Sequence, residues 1–399
     1  MDYNIFWRNT HLRKSERIVA ENPQEMIWLR FNRLKSLKMC ESLMREKNLN
    51  LSEKQKLEDD LIKKKSVGLS SAIESALGFW NSSSESLNAK VLSRYYALLH
   101  LTIAEQVSSV ENKDDLEKIQ RHTEFGHGLG IIRNLKDSFP KNFFVFILRS
   151  GHFYSFSKSL GLNIKDISFE RRPRDYNPIE NKENLISLLD LFRCVPELQP
   201  VINDYLNELP LSFQISYNNS KKRIEARNKA VLEDATSKEN QSVPKEKTTY
   251  ISLFPESEEI TLEYLNGLNL PIKNIEEDRG LIDERIFVGE FTHSAEGYWQ
   301  QYMDTYKSSH SGTSIIVPIL NKISDPILIH LMILYSLSII VRYLPDIWYE
   351  ISSGELDHIG SLIEYYLSIV DKVIPLEMLK RITERDIDIS MPGSLFGPV

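Results

Sequence analysis

Residues 90–106, KVLSRYYALLHLTIAEQ, leave the fewest choices for the fold, because nearly all of them are good core formers or aromatics. A helix that is apolar on most of its sides must be buried on most of its sides. We therefore predict a buried helix here. The preceding residues support a helical bundle, since a second run with apolar residues at helical spacing ends at the serine cluster of residues 82–84. The apolar residues of that run are Ile73, Ala76, Leu77 and Trp80.

Two further helices are predicted on the amino-terminal side. Residues 24–44 carry apolar residues at helical spacing with lysines and arginines between them, which predicts an amphipathic helix. After a break at residues 48–52, Ser52 is predicted to cap a second helix whose first turn holds Glu53. Together these segments indicate a helical hairpin, and residues 1–137 are interpreted as one helical bundle.

The hydrophobic period changes from helical to alternating after residue 137. Residues 142–148, NFFVFIL, form a short aromatic and β-branched run, Gly151 belongs to a turn signal, and residues 152–156 alternate. This pattern predicts a β-hairpin. Residues 138–324 are interpreted as a mixed α/β region that also contains a polar insertion or linker at residues 218–247. Its other predicted elements are helices at 185–192 and 198–206 and strands at 211–217, 249–254, 286–291 and 314–317.

From residue 325 onward the pattern is helical again, and Pro345 and Pro375 are predicted to end segments. The most apolar run, residues 327–341, is about fifteen residues long, whereas a membrane span needs about twenty. We therefore predict a buried helix and no membrane partner. Residues 325–399 are interpreted as a helical region that packs on the bundle, and the chain as an α+β protein in which helices predominate.

The cysteine content favours a reducing compartment. Cys40 and Cys194 are too few for a disulfide framework or a structural zinc site. The first residues lack the apolar core of a secretory signal, so a cytoplasmic location is expected.

Charge is unevenly distributed along the chain, because residues 1–65 carry a net charge of +5 and the remainder −12. This distribution suits either binding of an anionic partner or docking of the basic segment onto the acidic remainder of the chain itself.

Several blocks resemble, in order, the YaaC-like family of bacterial proteins. They begin with SSAIESALGFW, LSRYYALLHLTIAEQ and the HGL tripeptide at His127, continue with FFVFILRSGHFYSF and LLDLFRCVPEL, and end with ILYSLSIIVRYLPDIW, IEYYL and VIPLEMLKRIT. The helical half is also similar to HEPN domains, which include nucleotidyltransferase-associated proteins and metal-independent ribonucleases. The resemblance implies an HEPN-like bundle that acts with a protein or nucleic-acid partner, and stress or antiviral defence as its setting.

The HEPN resemblance carries a catalytic hypothesis. HEPN ribonucleases use an arginine and a histidine four to six residues apart, commonly brought together across a homodimer, and Arg94 and His100 satisfy that spacing. His100 would act as general acid or base, and Arg94 would stabilise charge on the phosphate. A regular helix opposes this, because six residues separate the side chains by roughly 120° and about 9 Å along the axis. The alternative is that Arg94 pairs with an acid while His100 is a hydrogen-bonded core residue.

A second candidate is the non-helical segment at residues 170–176, ERRPRDY. Its arginines suit phosphate or carboxylate, and Tyr176 is suited to stacking on a base, so an anion or nucleic-acid contact is predicted. An ion-pair strap with Glu170 and Asp175 is an equally open interpretation. The arginines concerned are Arg171, Arg172 and Arg174.

No metal site and no cofactor are predicted. His122, Glu124 and His127 offer two imidazoles and a carboxylate, with His152 as a distant third histidine, but their spacing does not match H-x-x-x-H on a helix. His127 is interpreted as a turn residue whose ring bonds to the backbone. The sequence also contains no phosphate-binding loop, dinucleotide-binding turn, H-E-x-x-H or G-x-S-x-G motif, which disfavours nucleotide hydrolysis and Rossmann redox chemistry.

Arg342, at the end of the most apolar helix, is predicted to pair with Asp346 and to have a structural role only.

The leading functional interpretation of the sequence is a binding or accessory protein that acts with a protein or nucleic-acid partner. The alternative is a metal-independent ribonuclease that uses Arg94 and His100.

Overall fold

The computed structural model describes residues 14–82, 86–177, 179–217, 245–308, 311–390 and 392. These residues form two compact units. The helical unit consists of the described residues within 14–188 and 330–392, and the sheet unit of those within 189–329. Helices predominate over strands, which confirms the α+β class. Most of the predicted polar insertion, residues 218–244, lies outside the described residues.

Helices and strands follow one another along the described residues. The helices are α1 (Pro23–Arg33), α2 (Leu37–Leu49), α3 (Asp59–Asn81), α4 (Leu87–Ser108), α5 (Leu116–Glu124), α6 (His152–Ser159), α7 (Leu188–Arg193), α8 (Gln199–Leu206), α9 (Leu262–Asn266), α10 (Pro326–Tyr343), α11 (Pro345–Ser353) and α12 (Asp357–Thr383). The strands are β1 (Ser15–Val19), β2 (Leu129–Arg133), β3 (Phe143–Leu148), β4 (Ser168–Phe169), β5 (Ile186–Ser187), β6 (Ser212–Tyr217), β7 (Glu246–Phe254), β8 (Lys273–Arg279), β9 (Arg285–Ser294), β10 (Tyr306–Ser308), β11 (Gly312–Ile316) and β12 (Asp386–Ser390).

Helix α4 is the most enclosed helix of the bundle that the sequence predicted. It packs against α3, α5, α6 and α12. Buried side chains such as Val91, Ala97, Leu98 and Leu101 lie on several of its sides. The prediction of a buried helix at residues 90–106 is confirmed.

The amino-terminal helices differ from their prediction. The helix predicted at residues 24–44 is two helices, because the chain leaves the helical conformation at Ser36, where φ is −80° and ψ is 121°. Ser52 does not cap a helix either. Its hydroxyl lies 2.6 Å from the side-chain oxygen of Gln55 within a turn, and α3 begins only at Asp59. A local hydrogen bond of the serine side chain thus competed with capping.

The predicted hairpin after residue 142 is wrong in its second half. Strand β3 is present, but residues 152–156 form α6. Strand β2 takes the place of the expected partner and pairs antiparallel with β3, which also pairs with β4 in parallel and with β5 antiparallel. The wrong prediction followed from Gly151, which has φ of 90° and turns the chain from β3 into a helix rather than into a return strand.

The first and last strands of the described residues, β1 and β12, form a two-stranded parallel sheet that the sequence did not predict. In this pairing β1 runs beside β12, with Ser15 opposite Asp386. Arg385 bridges Glu16 at 3.2 Å and Glu46 at 2.8 Å, so one guanidinium ties β1, α2 and the segment before β12 together. Strands this short carry too little hydrophobic pattern to be recognised in a sequence.

The two prolines of the carboxyl-terminal region behave differently. Pro345 begins α11, where its missing N–H costs nothing. Pro375 was predicted to end a segment, but it lies inside α12, where it is buried. Packing of the flanking apolar residues, among them Ile374 and Met378, holds the helix together across the lost hydrogen bond.

The sheet unit contains a six-stranded antiparallel sheet in the order β10-β11-β6-β7-β9-β8. The four strands predicted at 211–217, 249–254, 286–291 and 314–317 are confirmed as β6, β7, β9 and β11. Phe213, Ile251 and Phe287 belong to the hydrophobic core beside the sheet. The sheet therefore has its own core.

Helix α10 is the one described helix that is long and apolar enough to cross a membrane by length and composition. Within the protein, 72% of that stretch is buried. The prediction of a buried core helix at residues 327–341 is confirmed.

Candidate functional site

The candidate site is centred on a hydrogen bond between Tyr95 of α4 and His127. The Tyr95 hydroxyl lies 2.8 Å from Nδ1 of His127. Tyr335 of α10 completes a triangle of rings, with its centroid 5.9 Å from that of Tyr95 and 5.8 Å from that of His127. The Tyr335 hydroxyl donates to the carbonyl oxygen of Leu129 at 2.9 Å. His127 was predicted to bond to the backbone, and this prediction is wrong, because α4 brings a phenol within reach.

Two glycines hold His127 in place. Gly128 and Gly151 have φ of 76° and 90°, and a Cβ on Gly151 would lie 2.5 Å from the backbone nitrogen of Gly128. The close approach lets the Phe153 N–H donate to the carbonyl oxygen of His127 at 2.9 Å. The segment that carries His127 is therefore tied to the start of α6 through its backbone.

Arg342 supplies a positive charge beside the rings. Its Nη1 donates to the Tyr96 hydroxyl at 3.1 Å, and its Nε donates to the carbonyl oxygen of Ser338 at 3.0 Å. The predicted pairing with Asp346 is wrong, because α10 ends at Tyr343 and Asp346 belongs to the next helix. Among the described residues, no carboxylate pairs with this guanidinium.

An aromatic stack continues the site along α4. Phe79 of α3 stacks on Tyr96, with centroids 5.2 Å apart, and on His100, with centroids 5.4 Å apart and planes inclined by 17°. All three rings are half-buried. Neither ring nitrogen of His100 bonds to a described residue, and neither is sealed from solvent. We refer to Tyr95, Tyr96, His100, His127, Tyr335 and Arg342 as the tyrosine–histidine site.

A third histidine lies behind this site. His152 at the start of α6 is fully buried, and its Nε2 lies 2.8 Å from the Thr102 hydroxyl of α4. Burial lowers the pKa of His152 to about 3, and His127, His100 and His122 add to this shift. A histidine in this position stays neutral at physiological pH.

The arginine segment predicted at residues 170–176 approaches the same site. Arg171, Arg172 and Arg174 are exposed, and none of them pairs with a described carboxylate. The charge of Arg172 acts on the phenol of Tyr335. Glu170 pairs instead with Arg149, so the alternative of an ion-pair strap is not seen among the described residues. Three cationic side chains thus remain available to an anion.

Tyr176 has a different environment from the one that base stacking requires. Its ring stacks on Phe144 of β3 with centroids 5.2 Å apart, and Nζ of Lys182 lies 4.7 Å from its centroid. The Tyr176 ring is therefore stacked on Phe144 of β3, and the ammonium group of Lys182 lies over the ring. A ligand base would have to displace Lys182 to reach the ring.

Burial shifts the pKa values of Tyr95, His127 and His100 in the direction that favours their neutral forms. Burial raises the pKa of Tyr95 well above its usual value, with smaller contributions from Tyr335 and Tyr96. Burial lowers the pKa of His127, and the charge of Arg342 lowers it further. Burial also lowers the pKa of His100. Arg342 therefore supplies the positive charge of the site.

Comparison with protein families identifies the chain. The model of the YaaC-like protein family matches residues 33–382. This chain belongs to the YaaC-like family. The matched range contains every residue of the tyrosine–histidine site and of the arginine segment. A search of curated proteins and a search of solved structures each found no match.

The structure of this YaaC-like protein gives Arg94 and His100 separate surroundings. Nε of Arg94 lies 2.5 Å from a carboxylate oxygen of Asp371 on α12, and Nη1 donates to the carbonyl oxygen of Trp80 at 2.7 Å. The guanidinium also lies 4.3 Å from the Trp80 ring centroid. His100 stacks on Phe79 instead, and no contact between described residues joins Arg94 to His100.

Metal ligands do not converge at the site. Among the described residues of the YaaC-like protein, no group of three or more histidine, cysteine, aspartate or glutamate side chains is arranged to hold a metal ion. His127 and His152 direct ring nitrogens to hydroxyl groups. The site is built from three tyrosines, two histidines and one arginine.

Sequence reasoning missed Tyr95, Tyr96 and Tyr335 as site residues. The tyrosine pair was visible in the RYY motif, but its aromatic letters were assigned to the core, as is usual for a helix that is apolar on most sides. The useful signal was the histidine between two glycines in GHG, because such a loop can hold a polar side chain against a neighbouring helix.

Proposed function

We propose that this YaaC-like protein is a non-catalytic binding module for single-stranded nucleic acid, and that the tyrosine–histidine site and the arginine segment together form the contact surface. The carrying observation is that Arg342 pairs with no described carboxylate and donates to the Tyr96 hydroxyl at 3.1 Å, beside the half-buried stack of Tyr96, Phe79 and His100. The exposed Arg172, from a separate segment, acts electrostatically on Tyr335 of the same site. Paired cations of this kind suit the phosphate groups of a flexible strand.

The half-exposed aromatic stack supports this choice of ligand. Single-strand binders combine a cationic groove for the backbone with rings on which bases stack, and each stacked base contributes about 1–3 kcal/mol. Tyr96, His100 and Phe79 offer such rings next to Arg342. A duplex would hide its base faces, so an unpaired strand fits the surface better.

Action in a bacterial cytoplasm, in stress or antiviral defence and through an HEPN-like bundle is part of the same proposal. Its support is the resemblance of the RYY-containing half to HEPN domains. A protein partner or a second copy of the chain would act on the same surface by adding contacts to the bound strand.

Binding is tested by fluorescence anisotropy with a labelled single-stranded RNA over a series of salt concentrations. The variant Arg172→Ala plus Arg342→Ala is expected to bind more weakly, and the slope of log affinity against log salt should become about 1.4 less steep if two phosphate contacts are lost. Lys64→Ala, which removes an exposed lysine of α3, is the matched control and should behave as the wild type. Equal affinity and slope for the double variant would refute the proposal.

A metal-independent ribonuclease is the second candidate, because the free ring nitrogens of His100 reach solvent beside the stack. Arg94 is engaged by Asp371, so the cation would have to come from Arg342 or from a second copy in a homodimer. Labelled RNA incubated with the protein in EDTA separates the two functions. RNA cleavage that is lost in His100→Ala would favour the ribonuclease, and intact RNA that stays bound would favour the binding module.

A further inference from the structure

The hydrogen bond between Tyr95 and His127 can run in either direction. A phenol hydroxyl has one hydrogen, and a neutral imidazole carries its hydrogen on only one of its two nitrogens. If Nδ1 of His127 carried the hydrogen, Tyr95 would accept it and its own hydrogen would need another acceptor. The two directions therefore leave different groups unsatisfied.

Burial decides between them. Tyr95 is 1% exposed, and among the described residues its hydroxyl contacts no acceptor other than Nδ1 of His127. A buried hydroxyl whose hydrogen has no acceptor costs about 1–3 kcal/mol in general. Tyr95 therefore donates to Nδ1, and the hydrogen of the imidazole lies on Nε2.

The second ring nitrogen of His127, Nε2, is not engaged by Tyr95. Nε2 bonds to no described residue and is not sealed from solvent. The titratable and charged groups that face the ring are Tyr95 of α4, Tyr335 and Arg342 of α10, and His152 of α6. None of these is a carboxylate, so no described acidic group stabilises a second proton on the ring.

We propose that Tyr95 holds His127 as the Nε2–H tautomer, and that this neutral N–H donates to a phosphate oxygen of the ligand beside Arg342. The phosphate contact rests on the proposed function, whereas the tautomer does not. Phosphate oxygens are acceptors only, so a fixed donor next to a guanidinium selects them. A nitrogen that carries a hydrogen also cannot ligate a metal ion without losing it.

The tautomer is measured first, without any ligand. In protein labelled with ¹⁵N-histidine, the nitrogen shifts of His127 distinguish a nitrogen that carries a hydrogen from one that does not, and the spectrum of His127→Gln assigns the signals. The expected result is an unprotonated Nδ1 and a protonated Nε2. Tyr95→Phe, which removes only the hydroxyl, should shift both signals toward a mixture of tautomers. A protonated Nδ1 in the wild type would overturn the inference.

The donor role is measured next, by anisotropy with the labelled single-stranded RNA. His127→Ala is expected to weaken binding about threefold to tenfold, as for one lost hydrogen bond. His127→Gln should stay within about twofold of the wild type, because its amide also presents an N–H. If both variants lose the same affinity, His127 does not act as a donor.

A pH profile separates the tautomer role of Tyr95 from a merely structural one. Tyr95→Phe should bind more weakly than the wild type at pH 8. Its deficit in affinity should shrink once the pH falls below the pKa of the freed imidazole, which burial and the charge of Arg342 hold below 6.5, since protonation places a hydrogen on both nitrogens. His100 is present in both proteins and His152 stays neutral over this range, so the ratio of the two affinities removes their contribution. A deficit that does not change with pH would contradict the tautomer role.

The two claims fail in different ways. If the wild type shows an Nε2–H tautomer but binds neither RNA nor DNA single strands, the phosphate contact and the proposed function are refuted and the tautomer stands. If RNA binds but Nδ1 carries the hydrogen, the proposed function stands and the inference is refuted.

Discussion

Arg94 belongs to helix α4 and Arg342 contacts the same helix, but the two arginines have opposite chemical surroundings. Arg94 is enclosed by Asp371, Trp80 and its own helix, and its side chain is 7% exposed. Arg342 is half-buried, contacts a phenol and its own helix, and pairs with no described carboxylate. The comparison teaches that an arginine in a helical bundle is available to a ligand only where no acid neutralises it.

The largest effect should come from breaking the Arg94 cluster. Asp371→Ala would leave a buried guanidinium without its carboxylate and remove the partner of Lys90 as well. We expect a loss of about 3 kcal/mol in the free energy of unfolding, since an unpaired buried charge is costly. Urea denaturation measures it. Glu117→Ala, which breaks the exposed ion pair with Arg121, should cost less than about 1 kcal/mol. Equal losses of stability in the two variants would contradict the distinction between a buried and an exposed arginine.

Acid should destabilise the protein through His152. Its pKa in the folded state is about 3, against an ordinary value of 6.5, so the unfolded chain takes up a proton that the folded protein refuses. Stability is therefore lost as pH falls from 6.5 toward 3, by about 1.4 kcal/mol for each pH unit and thus by about 3 kcal/mol at pH 4. Thermal denaturation of wild type and His152→Gln between pH 7 and pH 4 tests this. The variant should lose less stability over that range, whereas His122→Gln, at an exposed position, should follow the wild type.

A smaller loss is expected from the loop that carries His127. Gly151→Ala would force a side chain into a left-handed conformation against the backbone of Gly128. We expect a cost of about 2 kcal/mol in unfolding free energy, together with weaker RNA binding because His127 is displaced. Gly78→Ala is the matched control, because a Cβ there meets nothing within 4 Å in helix α3. It should be neutral or stabilising by about 0.5 kcal/mol.

The smallest effect on stability is expected at Arg342. Arg342→Ala removes hydrogen bonds to Tyr96 and to Ser338, neither of which is charged, and should cost about 1 kcal/mol or less in urea denaturation. The same variant should weaken RNA binding several-fold. A large stability loss with unchanged binding would place Arg342 in the same class as Arg94.

The fold was readable from sequence where the hydrophobic pattern was strong. Residues 90–106 and 327–341 were recognised as buried helices, and four strands of the large sheet were located, because their side chains repeat at the helical or strand period. Residues 152–156 were misread, since a run of five alternating residues fits a strand or the first turns of a helix equally well. Gly151 decided the outcome through its backbone conformation.

The candidate site was only half readable. Arg172 was predicted to contact an anion, whereas Arg342 was assigned a structural role and His127 was interpreted as a turn residue. Nothing in the sequence joins positions 95, 127 and 335. Their contact depends on α4 and α10 packing beside the loop that Gly128 and Gly151 shape. Arg94 and Arg342 are the same residue type, and only the residues that contact them in the folded protein distinguish them.

By itself, the sequence determined which segments of this protein are buried helices and strands, because local periodicity sets the face that must leave water. Tertiary structure alone decided which arginine is neutralised and which histidine is held by a phenol. Charge neutralisation and hydrogen bonding act over a few ångströms between residues that are far apart in the chain, and no local pattern records that distance.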